Sequence, residues 1–318
     1  MTEKVQLYVG DALGRYGFPD GHPFGPDRQD AFWKEAEKQE LPRKVELREP
    51  RAATREEIER FHKHEHVERV RLLSHDGYGL IDQGDTPAYP GVYDASANVV
   101  GAALEGLAQV MSGEVCRTFQ PIGGLHHARR TGAAGFCVFN DCGVVIDTLR
   151  SVYGVKRVAY VDIDVHHGDG LYYPYEEDPD LIYADIHEDD RFLYPSTGHD
   201  YERGKGAGQG LKLNIPMEPG SGDQAFYAAW ERVVEHLRAH KPDFIVFQCG
   251  ADSLAGDPLA HLQYTPKAHA HAARSLCSLA NEMCGGRIMG FGGGGYNRGN
   301  LAAAWCAVLD ELVKGAER

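Results

Sequence analysis

The chain has 318 residues, with 47 Asp and Glu against 33 Lys and Arg and a formal net charge of −14. That balance disfavours a nucleic-acid binder, whose affinity rests on Lys and Arg neutralising phosphates, and it suits cationic substrates. No apolar run approaches the ~20 residues that span a bilayer, the opening MTEKVQLYVGDALG lacks the unbroken apolar core of a signal peptide, and the length accommodates one large α/β domain over residues 1–318.

In chain order, Tyr16–Arg51 is rich in charge and proline and is expected to be irregular surface chain. Glu56–Leu73 predicts a helix with Ile58, Phe61, Val67 and Val70 on one face and Thr54 as its N-cap. His62, His64 and His66 read there as solvated helix positions. Ala95–Met111 is a helix of small residues suited to close packing. The apolar stretch Val115–Phe119 leads into PIGGLHH, which ends in the imidazole pair His126–His127. Val158–Gly170, VAYVDIDVHHGDG, begins as a strand and ends in carboxylates and imidazoles. Gly222–Lys241 is an amphipathic helix stopped by Pro242. The strand Asp243–Cys249 opens into GADSLAGDP. After the helix Pro266–Met283, the strand-like Arg287–Gly290 leads to FGGGGYN, and Leu301–Lys314 is the last helix. Strands followed by helices imply an open parallel sheet flanked on both faces, and no repeat or linker divides it. The seven cysteines form no CxxC pair and sit in apolar contexts, which predicts buried free thiols and a reducing, cytoplasmic setting.

The chemistry concentrates in Val158–Gly170. Asp162, Asp164 and His166 alternate, so on an extended backbone they leave on one side. Asp164 and His166 offer a divalent metal one oxygen and one nitrogen. Catalytic zinc sites use about three protein ligands and keep a position open, so a third must come from elsewhere. Asp252 and Asp257 are both candidates, with Asp257 deeper in its loop beside Pro258. Four strand candidates thus end in four loops bearing titratable groups or glycines, and ligands of open α/β sheets bind beyond such strand ends. Taken alone, FGGGGYN could cradle a phosphate, but it lacks the Lys and Ser/Thr of a P-loop.

The ordered set GGLHHA, GFCVFND, VDIDVHHGDG, GADSLAGDPL and GFGGGGYN resembles the zinc-dependent histone deacetylase superfamily, which includes acetoin-utilisation proteins and acetylpolyamine amidohydrolases. The resemblance runs from about Gly21 to the C-terminus and implies the arginase/deacetylase-like α/β fold. It implies that Asp164, His166 and Asp257 hold Zn2+, with Fe2+ as an alternative. His127 would be the general base and His126 its electrostatic partner. Asp162 would pair with His126, Asp169 with His127, and Tyr296 would donate to the oxyanion. Gly135, Phe136 and Tyr194 would wall a tunnel for the acyl-lysine stem, with Tyr194 standing where the family usually has phenylalanine. Asp85 would grip substrate amides at the rim, Leu259 would stand at the gate, and Arg28 would line an acetate channel. A structural K+ would sit among Asp162, Asp164, His166, Asp185 and Ile186, with Asp185 in place of the usual serine.

The implied reaction releases acetate and a free amine from acyl-lysine peptides or proteins, or from acylated polyamines. Polyamine-selective relatives carry an acidic gatekeeper where Leu259 stands, so Leu259 favours acyl-lysine. An arginase-like enzyme with two metals needs a DxHxD loop, and here the last position is Gly168. A non-catalytic acyl-lysine binder would have lost a ligand or the tyrosine, and neither is lost. No membrane partner is expected, and a homo-oligomer is left open.

Overall fold

The computed structural model describes residues 4–316. Eight strands form one sheet: β1 (Val5–Tyr8), β2 (Glu46–Arg48), β3 (Arg117–Gln120), β4 (Val158–Asp162), β5 (Leu181–Glu188), β6 (Lys212–Met217), β7 (Phe244–Gln248) and β8 (Ile288–Phe291). All pairings are parallel, in the order β2-β1-β3-β8-β7-β4-β5-β6. β4 and β7 are buried at every residue, as a parallel sheet covered on both faces requires. The helix Val92–Ser112 packs on Asp141–Ser151. Arg298–Ala316 packs on Pro266–Met283 and Arg28–Lys38.

The topology positions the site. β4, β5 and β6 run out to one edge and β1 and β2 to the other, and the last two strands, β7 and β8, fill the gap between β4 and β3. The carboxyl ends are in register: Gln120 pairs with Phe291, Phe291 with Gln248, Gln248 with Asp162, and Asp162 with Asp185. The loops after β3, β8, β7 and β4, far apart in sequence, therefore leave the sheet side by side, in the crevice where open sheets bind ligands. No helix among the described residues is long and apolar enough to cross a membrane.

Two sequence expectations change. Tyr16–Arg51 is not all irregular: it holds the helix Arg28–Lys38 and the strand β2. Arg28 and Phe32 are fully buried there, while the charged outer face masks the pattern. The expected helix Glu56–Leu73 is two helices, Arg55–Ile58 and His64–Asp76. Between them the Lys63 amide donates to the Arg130 carbonyl at 2.7 Å, which takes the backbone out of the helical ladder. His62 and His66 are buried rather than solvated. The His62 ring bridges the Arg129 carbonyl (2.9 Å) and the Asn140 amide (2.8 Å). His64 stays exposed. All seven cysteines are free and buried.

Thr54 is the cap that the sequence predicts. Its hydroxyl accepts from the Glu57 amide at 3.3 Å, and its own amide donates to the Glu57 carboxylate at 2.9 Å, a reciprocal capping box. Thr54→Ala should cost about 1 kcal/mol, read as a lower urea midpoint; an unchanged midpoint would show the cap to be idle.

Candidate active site

The loop after β3 is shaped by one buried carboxylate. Asp141 accepts from the Gly124 amide (2.9 Å) and the Leu125 amide (2.8 Å), which presents His126 and His127 to the crevice. The two imidazoles then find separate carboxylates. His126 Nδ1 donates to Asp162 (2.8 Å) and His127 Nδ1 to Asp169 (2.7 Å). The Nε2 atoms face each other at 3.1 Å. A carboxylate only accepts, so each Nδ1 carries a proton and His127 Nε2 is left as a basic lone pair. Burial lowers both rings, but the charges of Asp162 and Asp164 bring His126 up to about 9. His127 is pushed down to about 4 by burial and by charged His126. The pair is therefore one imidazolium beside one neutral imidazole. Arg129 closes the series, donating Nη2 to the other oxygen of Asp169 at 2.7 Å.

Asp164, His166 and Asp252 converge beside this pair, each with a ligand atom within 4.8 Å of the others, and all three are buried. His166 Nδ1 lies 3.1 Å from Asp164 and 3.3 Å from Asp252. The Asp164 carboxylate is fixed by Gln248 Nε2 (2.9 Å) and by the amides of Gly294 (2.8 Å) and His166 (3.0 Å). Asp252 Oδ1 accepts from the Val165 amide at 3.1 Å, whereas its buried Oδ2 has the 3.3 Å ion-pair approach of His166 Nδ1 and no donor in good hydrogen-bond geometry. A buried, unsatisfied carboxylate oxygen is costly, and a hard cation relieves that cost.

The expected third ligand, Asp257, acts electrostatically on both His166 and Asp252. Its Oδ2 accepts from the Tyr296 amide (2.8 Å) and the Asn297 amide (3.3 Å), and its Oδ1 from the Leu259 amide (3.0 Å). It fastens the tyrosine loop to the rim loop. Two aspartates five residues apart thus stand near His166, Asp252 just past the end of β7 and Asp257 deeper in the loop.

The glycine run behaves as expected at Gly294. Its amide reaches the Asp164 carboxylate, and a Cβ there would lie 2.1 Å from Asp252 Oδ2. Tyr296, next but one, faces Phe136 and Phe24 edge-on, with ring centroids 5.9 and 6.5 Å away. Burial and the charge of Asp252 push its hydroxyl well above the usual tyrosine range, so it keeps its proton.

A cavity of about 470 Å3 leads from the surface to these groups and unites His127, His166 and Tyr296 with Asp85, Gly135, Phe136, Tyr194 and Leu259. Gly135 sets its width: a Cβ would lie 2.5 Å from the His127 ring and 3.1 Å from Tyr194, and its φ is +51°. Phe136 takes the left-handed conformation, φ +67°, unfavourable for a non-glycine residue. The neighbours hold it there: Tyr16 donates its hydroxyl to the Phe136 carbonyl (2.7 Å), and the Phe136 amide donates to Thr86 Oγ1 (3.0 Å). The Tyr194 ring stands edge-on to His127 at 5.1 Å and is half exposed.

Three lining residues were missed from sequence: His22, Pro23 and Leu193. His22 accepts from the Phe24 amide at Nδ1 (3.0 Å) and donates from Nε2 to the Asp85 carbonyl (3.1 Å). The signal was the HPF of GHPFGPDR, hidden within a segment read as irregular.

Beneath the site, Asp185 faces inward. Its carboxylate accepts from the Gly168 amide (2.9 Å), His187 Nδ1 (2.7 Å) and the Tyr183 hydroxyl (2.5 Å). It is the β5 partner of Asp162, and Ile186 beside it is buried. Arg28 is wholly buried behind the glycine run, donating to the carbonyls of Gly293 (2.6 Å) and Gly295 (3.0 Å) while its Nη1 has no partner.

The match to the histone deacetylase domain covers residues 22–312, and the chain belongs to that family. It is an enzyme of the hydrolase class. It is 34% identical to the acetoin utilization protein AcuC of Bacillus subtilis (strain 168), over 98% of this chain and 82% of that protein. It is 35% identical to the AcuC of Staphylococcus xylosus, over 98% and 83%. The crystal structure of the HDA15 HD domain superposes with a TM-score of 0.91 at 28% identity, covering 98% of this chain and 88% of that one.

Two outcomes follow from the cluster. Asp257→Asn should abolish retention of a divalent ion; elemental analysis of the purified variant beside Asp252→Asn decides the third ligand, and an ion kept without Asp257 but lost without Asp252 would transfer the role to Asp252. Metal affinity should also depend on pH. Burial and the neighbouring Asp164 raise Asp252 to about 7. Burial lowers His166, but its hydrogen bonds to Asp164 and Asp252 bring it to about 10. Protons therefore compete with the ion. Affinity should rise with pH, by roughly tenfold per unit for each proton displaced, with the Asp252 share levelling off above about pH 7. Chelator competition at pH 6, 7 and 8 measures it, and a flat profile would contradict the proton competition.

Proposed function

We propose that the chain hydrolyses the acyl amide of acetyl-lysine side chains, releasing acetate and the free amine. The carrying observation is the meeting of Asp164, His166 and Asp252 with the His126–His127 pair at the end of a narrow cavity. Asp164, His166 and Asp257 would hold the ion, with Asp252 beside them, and an Asp–His–Asp donor set fits Zn2+ and equally Fe2+. The bound ion would supply a Lewis acid for the amide carbonyl and the attacking water.

The chain's own groups do the rest. His127 Nε2 takes the proton of the attacking water and returns it to the leaving amine. Asp169 fixes its tautomer, and Asp162 keeps the charged ring of His126 alongside. The Tyr296 hydroxyl donates to the developing oxyanion. Gly135, Phe136 and Tyr194 flank the apolar stem of the lysine, and Asp85 takes substrate amides at the rim. Leu259 at the gate adds no charge that would draw a distant ammonium, which favours acyl-lysine over an acylpolyamine. The unpartnered Nη1 of Arg28 suits passage of acetate behind the glycine run. Asp162, Asp164, His166, Asp185 and Ile186 form the proposed K+ site. The buried free thiols support a reducing cytoplasmic setting.

Turnover of a fluorogenic acetyl-lysine peptide by zinc- or iron-loaded protein tests the reading, with acetylpolyamines run beside it. Tyr296→Phe should lower kcat by about 10²–10³, and His127→Ala by about 10²–10⁴ with the metal retained. Absence of turnover by metal-loaded protein on every acylated amine would overturn it.

A further inference from the structure

A second concavity, about 730 Å3, adjoins the tunnel mouth and shares Asp85, Gly135 and Tyr194 with it. Its size is that of a site for a whole ligand, roughly 300–1,000 Å3. In a chain of net charge −14, two guanidinium groups, Arg69 and Arg129, line this one cavity. Arg129 spends Nε and Nη2 on Asp169, leaving Nη1 free, and its side chain is 55% exposed. Arg69 spends Nε and Nη2 on the carbonyls of Ile81 (3.3 Å) and Leu80 (3.0 Å), leaving its Nη1 free as well. Asp82, the other acid on this wall, is already committed to its own loop: it accepts from the amides of Gly84 and Thr86, both at 3.0 Å, and from the Thr86 hydroxyl at 2.6 Å. His66 forms part of the lining. Its Nε2 donates to the Val138 carbonyl at 2.9 Å, so Nδ1 is an acceptor, and that atom is buried without a donor. The cavity thus offers two unspent guanidinium nitrogens, Nη1 of Arg69 and Nη1 of Arg129.

We propose that this cavity is a substrate subsite for a carboxylate-bearing segment adjoining the acylated amine, held by Arg69 and Arg129. Each free Nη1 would give the carboxylate one charge-assisted hydrogen bond. This inference rests on the acyl-lysine reading. The carboxylate has two sources, an acidic side chain flanking the acyl-lysine in a polypeptide or the free α-carboxylate of acyl-lysine itself.

The test is a kcat/KM panel on metal-loaded full-length protein. One arm uses acetyl-lysine peptides differing only in Glu, Gln or Lys at each neighbouring position. The other compares free Nε-acetyl-lysine with its α-carboxamide. A preference for Glu over Gln of about fivefold at one or more positions, the scale of a partly exposed ion pair, should shrink at high salt. Arg69→Gln should remove that preference while leaving the Gln peptide unaffected, and Arg69→Lys should keep most of it. The same signature confined to the free amino acid would assign the carboxylate to the second source. Equal turnover of Glu, Gln and Lys peptides, with no gain for free acetyl-lysine over its amide, would overturn the subsite and leave the deacetylase reading standing. No turnover in any arm would overturn the reading itself, and the subsite with it.

Discussion

Five carboxylates, Asp162, Asp164, Asp169, Asp185 and Asp252, are almost wholly buried around the ends of β4, β5 and β7. Burying an unpaired carboxylate is prohibitive, so every other feature of the site answers their charge. Asp162 and Asp169 are answered by the Nδ1 protons of His126 and His127, and Asp185 by His187. Asp164 and Asp252 are answered by the one ring of His166. That last compensation is the weakest, one proton between two carboxylates with an oxygen left over. A divalent ion removes the shortfall, so the same burial that strains the site also supplies affinity for a metal.

The two adjacent imidazoles show how burial is turned into chemistry. Identical side chains, next to one another in sequence and 3.1 Å apart at Nε2, are driven to opposite protonation states by what lies behind them. His126 sees Asp162 and Asp164; His127 sees Asp169, whose charge is shared with Arg129, and it sees the positive ring of His126. Separating the pKa values of neighbouring groups is how one site assigns a base and an electrostatic partner at a single pH.

The legible part of the sequence was what local pattern carries. VAYVDIDVHHGDG joins strand propensity to alternating ligands, and DFIVFQCGAD and RIMGFGGGGYN join apolar runs to reactive or glycine-rich ends, so the parallel sheet and most of the site followed. What failed depended on non-local partners. His62 and His66 looked solvated because their helix carries charge, yet their acceptors are the carbonyls of Arg129 and Val138. Arg28 was identified, but the helix that it opens was not, since its buried face is satisfied by Phe24, Trp305 and the glycine-run carbonyls.

The carboxylates themselves supply a rule for sorting site from scaffold. Each carboxylate oxygen can take about two donors. Asp82, Asp141 and Asp257 give their oxygens to backbone amides of their own or adjoining loops. Such bonds hold loop geometry and still leave acceptor capacity, as at Asp164, whose oxygens also accept from the Gly294 and His166 amides. Asp162 and Asp169 face imidazoles, whose protons can move, and Asp252 Oδ2 faces the His166 ring at 3.3 Å. The capacity for chemistry therefore tracks what each acid is bonded to rather than its burial, since Asp141 and Asp252 are equally hidden from water.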